Sequence, residues 1–211
     1  MMKARLITLF LAICFWADYN QVQAAHITVE FEGNVTSISG TGVPESVQVG
    51  DTFTGTYTYS SLTTDSDASA YLGMYEHDDP YGVCMSLGEY KLETATNHVG
   101  GFRIRINNDD PQLNIWDFYS VESDEIVSVP SVGFDVDYIY WSLGDITHTA
   151  LDSDMLPITV PVLADWNYNS FRIVGINNSF TIRGEVTEAV IPEPTSLLLF
   201  CLGSILVPHN I

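Results

Sequence analysis

The chain reads as an all-β protein, an antiparallel β-sandwich of jelly-roll-like build. Three observations predict this. Apolar and polar residues alternate with period two over many short runs, a pattern that buries one face of a strand and wets the other. β-Branched and aromatic residues dominate those runs, as strands prefer. Clusters rich in Gly, Pro, Asn and Asp, such as "SGTGVPESVQVGD", "HDDPYG" and "NNDDPQ", separate them. No long stretch of the body carries the 3.6-residue period of an amphipathic helix.

The first element is a leader. Lys3 and Arg5 precede an apolar run from Leu6 to Ala17, which Asp18 and Asn20 end. Val22-Gln23-Ala24 then offers small or apolar residues at −3 and −1 of a cleavage site. That layout predicts a secretory signal peptide over 1–24, folded as a short helix and cut after Ala24, with Ala25 as the alternative. The apolar run is shorter than the roughly 20 residues a spanning helix needs.

The body spans 25–188, long enough for one domain with a substantial core. In "HITVEFEG" the sequence sets Ile27, Val29 and Phe31 against Thr28, Glu30 and Glu32. In "FTGTYTYS", Thr54, Thr56 and Thr58 oppose Gly55, Tyr57 and Tyr59. In "GFRIRINN", Phe102, Ile104 and Ile106 face away from Arg103 and Arg105. "NIWDFYS" and "VDYIYWS" read as strands, and "SFTIRGEVTEAV" sets Phe180, Ile182 and Val186 against Thr181, Arg183, Glu185 and Thr187. The first and last strands are expected to pair or lie adjacent, which would bring the two ends of the body together.

Charge limits the partners. The chain has 7 Lys and Arg against 27 Asp and Glu. Removing 1–24 takes away Lys3, Arg5 and Asp18, leaving 5 basic and 26 acidic residues. Such a surface repels phosphate backbones, so nucleic acid is not an expected partner. It suits an exported, soluble body or one that collects cations. Of the three cysteines only Cys84 lies in the body, where it reads as a buried, inert thiol without a disulfide partner.

Paired carboxylates recur at Asp65/Asp67, Asp78/Asp79, Asp109/Asp110, Asp135/Asp137 and Asp152/Asp154. Asp-x-Asp in a loop offers oxygens to Ca²⁺, and Asp65 and Asp67 are the first candidate ligands. None completes the D-x-[DN]-x-[DN]-G loop, so solvated turns are the competing reading. His77 beside Asp78 and Asp79 has the same two readings, metal ligand or solvated turn. No H-E-x-x-H, G-x-S-x-G or close histidine pair occurs, and no catalytic residue is assigned: the body reads as a non-enzyme. Trp116, Tyr119, Tyr138, Tyr140, Trp141, Trp166 and Tyr168 are candidates for stacking on sugars. Alternating aromatics are usually core, and Tyr138 and Tyr140 are read that way.

The last element, 189–211, is "AVIPEPTSLLLFCLGSILVPHNI". Pro192 and Pro194 break any regular element. Leu197–Val207 then predicts a short apolar helix of about 16 Å with no polar stripe. A signal peptide, an acidic β-rich body and Pro192-Glu193-Pro194-Thr195-Ser196 before an apolar run together resemble the bacterial PEP-CTERM proteins. "VQVGDTFTGTYTYSS" (47–61), "TDSDAS" (64–69), "LGMY" (72–75), "TALDSDMLP" (149–157) and "FTIRGEVTEAV" (180–190) resemble a body recurrent among them. The resemblance implies that 189–211 is a sorting tail, that Pro192 to Ser196 form its motif, and that an exosortase-type membrane protease is the partner. It implies a Gram-negative cell envelope, cell surface or extracellular location among extracellular polysaccharide. It supplies no catalytic residue. The tail departs from the family pattern in that no Lys or Arg follows Arg183.

Three functional classes stay open at this point. The first is a non-enzymatic cell-surface or matrix protein sorted by its tail and held to the membrane through it. The second is a carbohydrate-binding, lectin-like module assisted by calcium. The third is a secreted glycan hydrolase.

Overall fold

A computed structural model describes residues 26–109, 116–130 and 133–192. The leader, Glu193 to Ser196 and the apolar terminal run lie outside those residues, and with them both expected helices. Pro192 closes the described chain. The described residues form eleven strands: β1 (His26–Gly40), β2 (Thr52–Ser60), β3 (Leu72–His77), β4 (Gly82–Leu87), β5 (Tyr90–Thr94), β6 (Phe102–Asn107), β7 (Asp117–Asp124), β8 (Ile126–Val129), β9 (Val136–Asp145), β10 (Tyr168–Gly175) and β11 (Phe180–Val190). Among the described residues the helical content is two three-residue 3₁₀ turns, Leu163–Asp165 and Ile176–Asn178.

The all-β class and the antiparallel pairing agree with the sequence reading. The strands form one continuous sheet rather than two separate ones, in the order β3-β6-β7-β9-β10-β11-β1-β2-β4-β5-β8. That sheet curls until its inner face meets itself. Phe53 on β2 stacks on Phe171 on β10 with ring centroids 4.4 Å apart, although β11 and β1 lie between their strands. The curl needs two glycines. A Cβ at Gly33 on β1 would stand 2.4 Å from the Phe53 ring, and one at Gly184 on β11 would stand 2.6 Å from it. Without side chains there, the Phe53 ring lies directly over both backbones. Register shifts between Glu32 and Gly33 and between Val35 and Ser37 add local bend.

A second corner joins the far parts of the sheet. β7 pairs with β6 and β9, whereas β8 pairs with β5, and only Glu125 (φ 56) separates β7 from β8. The Ala95 N–H donates to the Glu125 carbonyl at 2.8 Å, and the Thr94 and Ser123 hydroxyls lie 2.6 Å apart, tying β5 to this corner.

Alternation translates directly into burial. Val29, Phe31, Tyr57, Tyr59, Phe102, Ile104, Ile106, Phe180, Ile182 and Val186 are all buried, while Glu30, Glu32, Thr54, Arg105, Arg183 and Glu185 are exposed. One aromatic cluster fills the middle: Phe31, Phe53, Tyr57, Tyr119, Trp141 and Phe171.

β1 and β11 pair as expected, from Gly40 opposite Phe180 to Glu30 opposite Val190. The chain therefore enters at His26 and leaves at Val190 at the same end of the molecule. β11 extends two residues past 188: Ala189 and Val190 pair with Phe31 and Glu30, and Ala189 packs on the core. Two readings of side-chain direction need correction. Tyr138 and Tyr140 are half-buried on the outer face, because Ile139 and Trp141 take the inner positions of β9. Cys84 also points outward and is half-buried, because its neighbours Val83 and Met85 face the core.

Candidate functional site

Three chemically equipped regions emerge from this framework. The first is a loop cluster at one end of β7 and β9. Asp117 and Asp145 are cross-strand partners, and neither has accessible surface. Buried carboxylates need donors. Asp117 Oδ2 accepts the N–H groups of Ala150 and Leu151, both at 3.0 Å, and Oδ1 accepts that of Asp109 at 3.2 Å. Asp145 accepts the N–H groups of Thr149 at 2.8 Å and Thr147 at 2.9 Å, and both threonine hydroxyls. Those bonds, the Thr149 N–H first, hold the Asp145 carboxyl down at about 2.

The two aspartates thus fold residues 146–151 back over the strand ends. His148 (φ 59) thereby meets Asp109, with Nδ1 to Oδ1 at 2.5 Å. Ligand atoms of Asp109, Asp117 and His148 all lie within 4.8 Å of one another. Two carboxylates and an imidazole form a donor set for a divalent cation. The sequence reading missed this grouping, because 109, 117 and 148 meet only through the β7–β9 pairing. The Asp109/Asp110 doublet was its only visible member.

Asp65 and Asp67 are placed differently. Asp65 Oδ1 accepts the N–H groups of Asp67 and Met74, both at 2.9 Å, and Asp67 Oδ1 accepts that of Ser69 at 2.8 Å. These are Asx turns that lay the loop along β3. His77 is neither in a solvated turn nor in a metal cluster of the described residues. It is a buried strand residue, with Nδ1 3.1 Å from the Tyr75 carbonyl and its ring against Tyr59, Tyr81 and Phe102. Burial lowers its pKa. Asp78 receives the Gly100 N–H at 2.9 Å.

The second region is a groove of about 410 Å³ on the outer face of β11, β1, β2 and β4. Glu30, Glu32 and Glu188 give it a negative rim, and Thr54, Thr56, Ser86 and Cys84 add hydroxyls and a thiol. The third is the outer face of β9 and β10. It carries Tyr138, Tyr140 and Tyr168 beside Arg172, whose Nη2 donates to the Tyr168 hydroxyl at 3.4 Å. Of the other aromatic candidates, Tyr119, Trp141 and Trp166 are buried and Trp116 is half exposed.

Of the sorting motif only Pro192 lies among the described residues, two positions after β11 ends. No protein-family model, no curated protein and no solved structure matches the chain.

Proposed function

We propose that the chain is an exported, non-enzymatic cell-surface or matrix protein, a jelly-roll-like body displayed by a PEP-CTERM-like tail. One observation carries this reading. β11 lies along β1 and releases the chain at Val190–Pro192 beside its point of entry. The two ends of the described chain thus lie at one end of the body, which supports a leader and a tail attached there and far loops facing away from a membrane. The two prolines stop β11 from continuing into the apolar run. An exosortase-type protease is the partner that would read Pro192 to Ser196.

Fractionation of the full chain against a chain ending at Ile191 tests the proposal. The full chain should be found in the membrane or surface fraction and the shortened one in the medium. Equal distribution would reject the tail as a sorting element. The cut belongs after Ile191, because Ala189 and Val190 are part of β11.

The outward tyrosines of β9 and β10 favour a second reading, a lectin-like body that takes extracellular polysaccharide. Tyrosine faces stack on sugar rings, and Arg172 supplies a donor beside them. A glycan array with and without calcium tests it. Binding lost in Tyr140→Ala and Tyr168→Ala would support it, and an empty array would reject it.

A further inference from the structure

Five basic residues belong to the body, and one of them, Arg105 on β6, is exposed and outside the ion pairs among the described residues. Lys91 is on β5 and is paired with Glu93, and Arg103 on β6 is paired with Glu122 and Asp124. Arg172 on β10 and Arg183 on β11 stand directly opposite each other across the strands. Both face outward, and among the described residues neither has a carboxylate within ion-pair distance. Arg172 Nε is buried and has no hydrogen-bond partner. Like charges facing each other across a strand pair destabilise the sheet.

The same strand carries the opposite defect. Glu188 on β11 stands directly across from Glu32 on β1, with Glu30 two residues along the rim of the groove. All three point outward, and none has a cation within ion-pair distance among the described residues. Arg183 and Glu188 are five positions apart on the outer face of β11, roughly 16 Å at strand rise. One continuous surface thus holds a bare arginine pair and a bare glutamate pair, with the exposed Glu185 between them on β11.

We propose that this face, the outside of β10, β11 and β1, is a self-complementary interface that joins two copies of the chain about a two-fold axis. An axis crossing β11 between Arg183 and Glu188 lays the arginine pair of one copy over the glutamate pair of the other. Symmetry repeats the contact in reverse, which is the isologous arrangement that closes a dimer. Each like-charge pair then receives its counter-charge. A second copy is a better occupant than a polyanion. It supplies both complementary pairs at once, whereas a polyanion meets only the arginines.

The test is the solution mass of the full-length chain by light scattering after gel filtration. The wild type should be dimeric at about 0.15 M salt and shift toward monomer at about 1 M. Arg172→Glu with Arg183→Glu should weaken association by about tenfold or more, and so should Glu32→Arg with Glu188→Arg. Mixing these two variants should restore a one-to-one dimer, as should combining all four changes in one chain. The neutral variants Arg172→Gln and Glu188→Gln, which keep the strand surface intact, should each weaken the dimer. Circular dichroism of every variant should keep the wild-type β spectrum. A wild type that is monomeric throughout overturns the proposal. So does association that ignores the swaps, as contact through the apolar terminal run would. Arginine-dependent binding of an acidic polysaccharide by a monomer would give the face to a polyanion instead.

Discussion

The hydroxyls of Tyr57 and Tyr119 lie 3.1 Å apart in the middle of the core, although four strands separate β2 from β7 in the sheet. Each is the other's partner across the curled sheet, and burial pushes both phenols far above their ordinary pKa. Tyr57→Phe should therefore destabilise by about 1–3 kcal/mol, because it leaves the Tyr119 hydroxyl buried and unpaired. Tyr57→Phe with Tyr119→Phe should cost less than the sum of the two single changes. Urea denaturation of the three variants measures this, and strict additivity would contradict the pairing.

Phe53 holds the curl by lying over Gly33 and Gly184. Phe53→Ala should cost about 3–5 kcal/mol. Gly184→Ala should cost about 1–3 kcal/mol, because its Cβ meets the Phe53 ring and the Asn34 carbonyl. A neutral Gly184→Ala in thermal melts would show that the ring does not cover β11.

Asp65 Oδ1 satisfies the N–H groups of both Asp67 and Met74. Asp65→Ala should lower stability by about 1–3 kcal/mol even in calcium-free buffer. A loss that appears only when calcium is present would assign the residue to an ion instead.

Two groups with lowered pKa weaken the fold toward acid, in separate windows. The folded-state pKa of His77 lies below its ordinary 6.5, because burial disfavours the imidazolium. Its contribution is present above 6.5 and is lost as pH falls below that value. Asp145 lies at about 2 against an ordinary 3.8, so its contribution is present above 3.8 and is lost as pH falls toward 2. Melting temperature against pH should show both declines. Asp145→Asn should remove the lower one, and an unchanged lower decline would contradict the role given to the loop bonds.

Strand identity and inner-face residues were legible from alternation alone: Val29 and Phe31, Phe102 to Ile106, and Phe180 to Val186 all face as read. The pairing of β1 with β11 was legible too. Side-chain direction failed at Tyr138, Tyr140 and Cys84, where both faces of a strand carry apolar or aromatic residues and composition does not say which one is inside. His77 looked solvated because Asp78 and Asp79 follow it, yet it is the last inward residue of β3. The cluster of Asp109, Asp117 and His148 was invisible, because strand pairing and not spacing assembles it.

The intact mass of the protein recovered from its producing cells tests the central claim most directly. The account predicts an envelope or extracellular product that begins at Ala25 and lacks part of the segment after Pro192. A full 211-residue mass recovered from the cytoplasm would contradict both export and sorting.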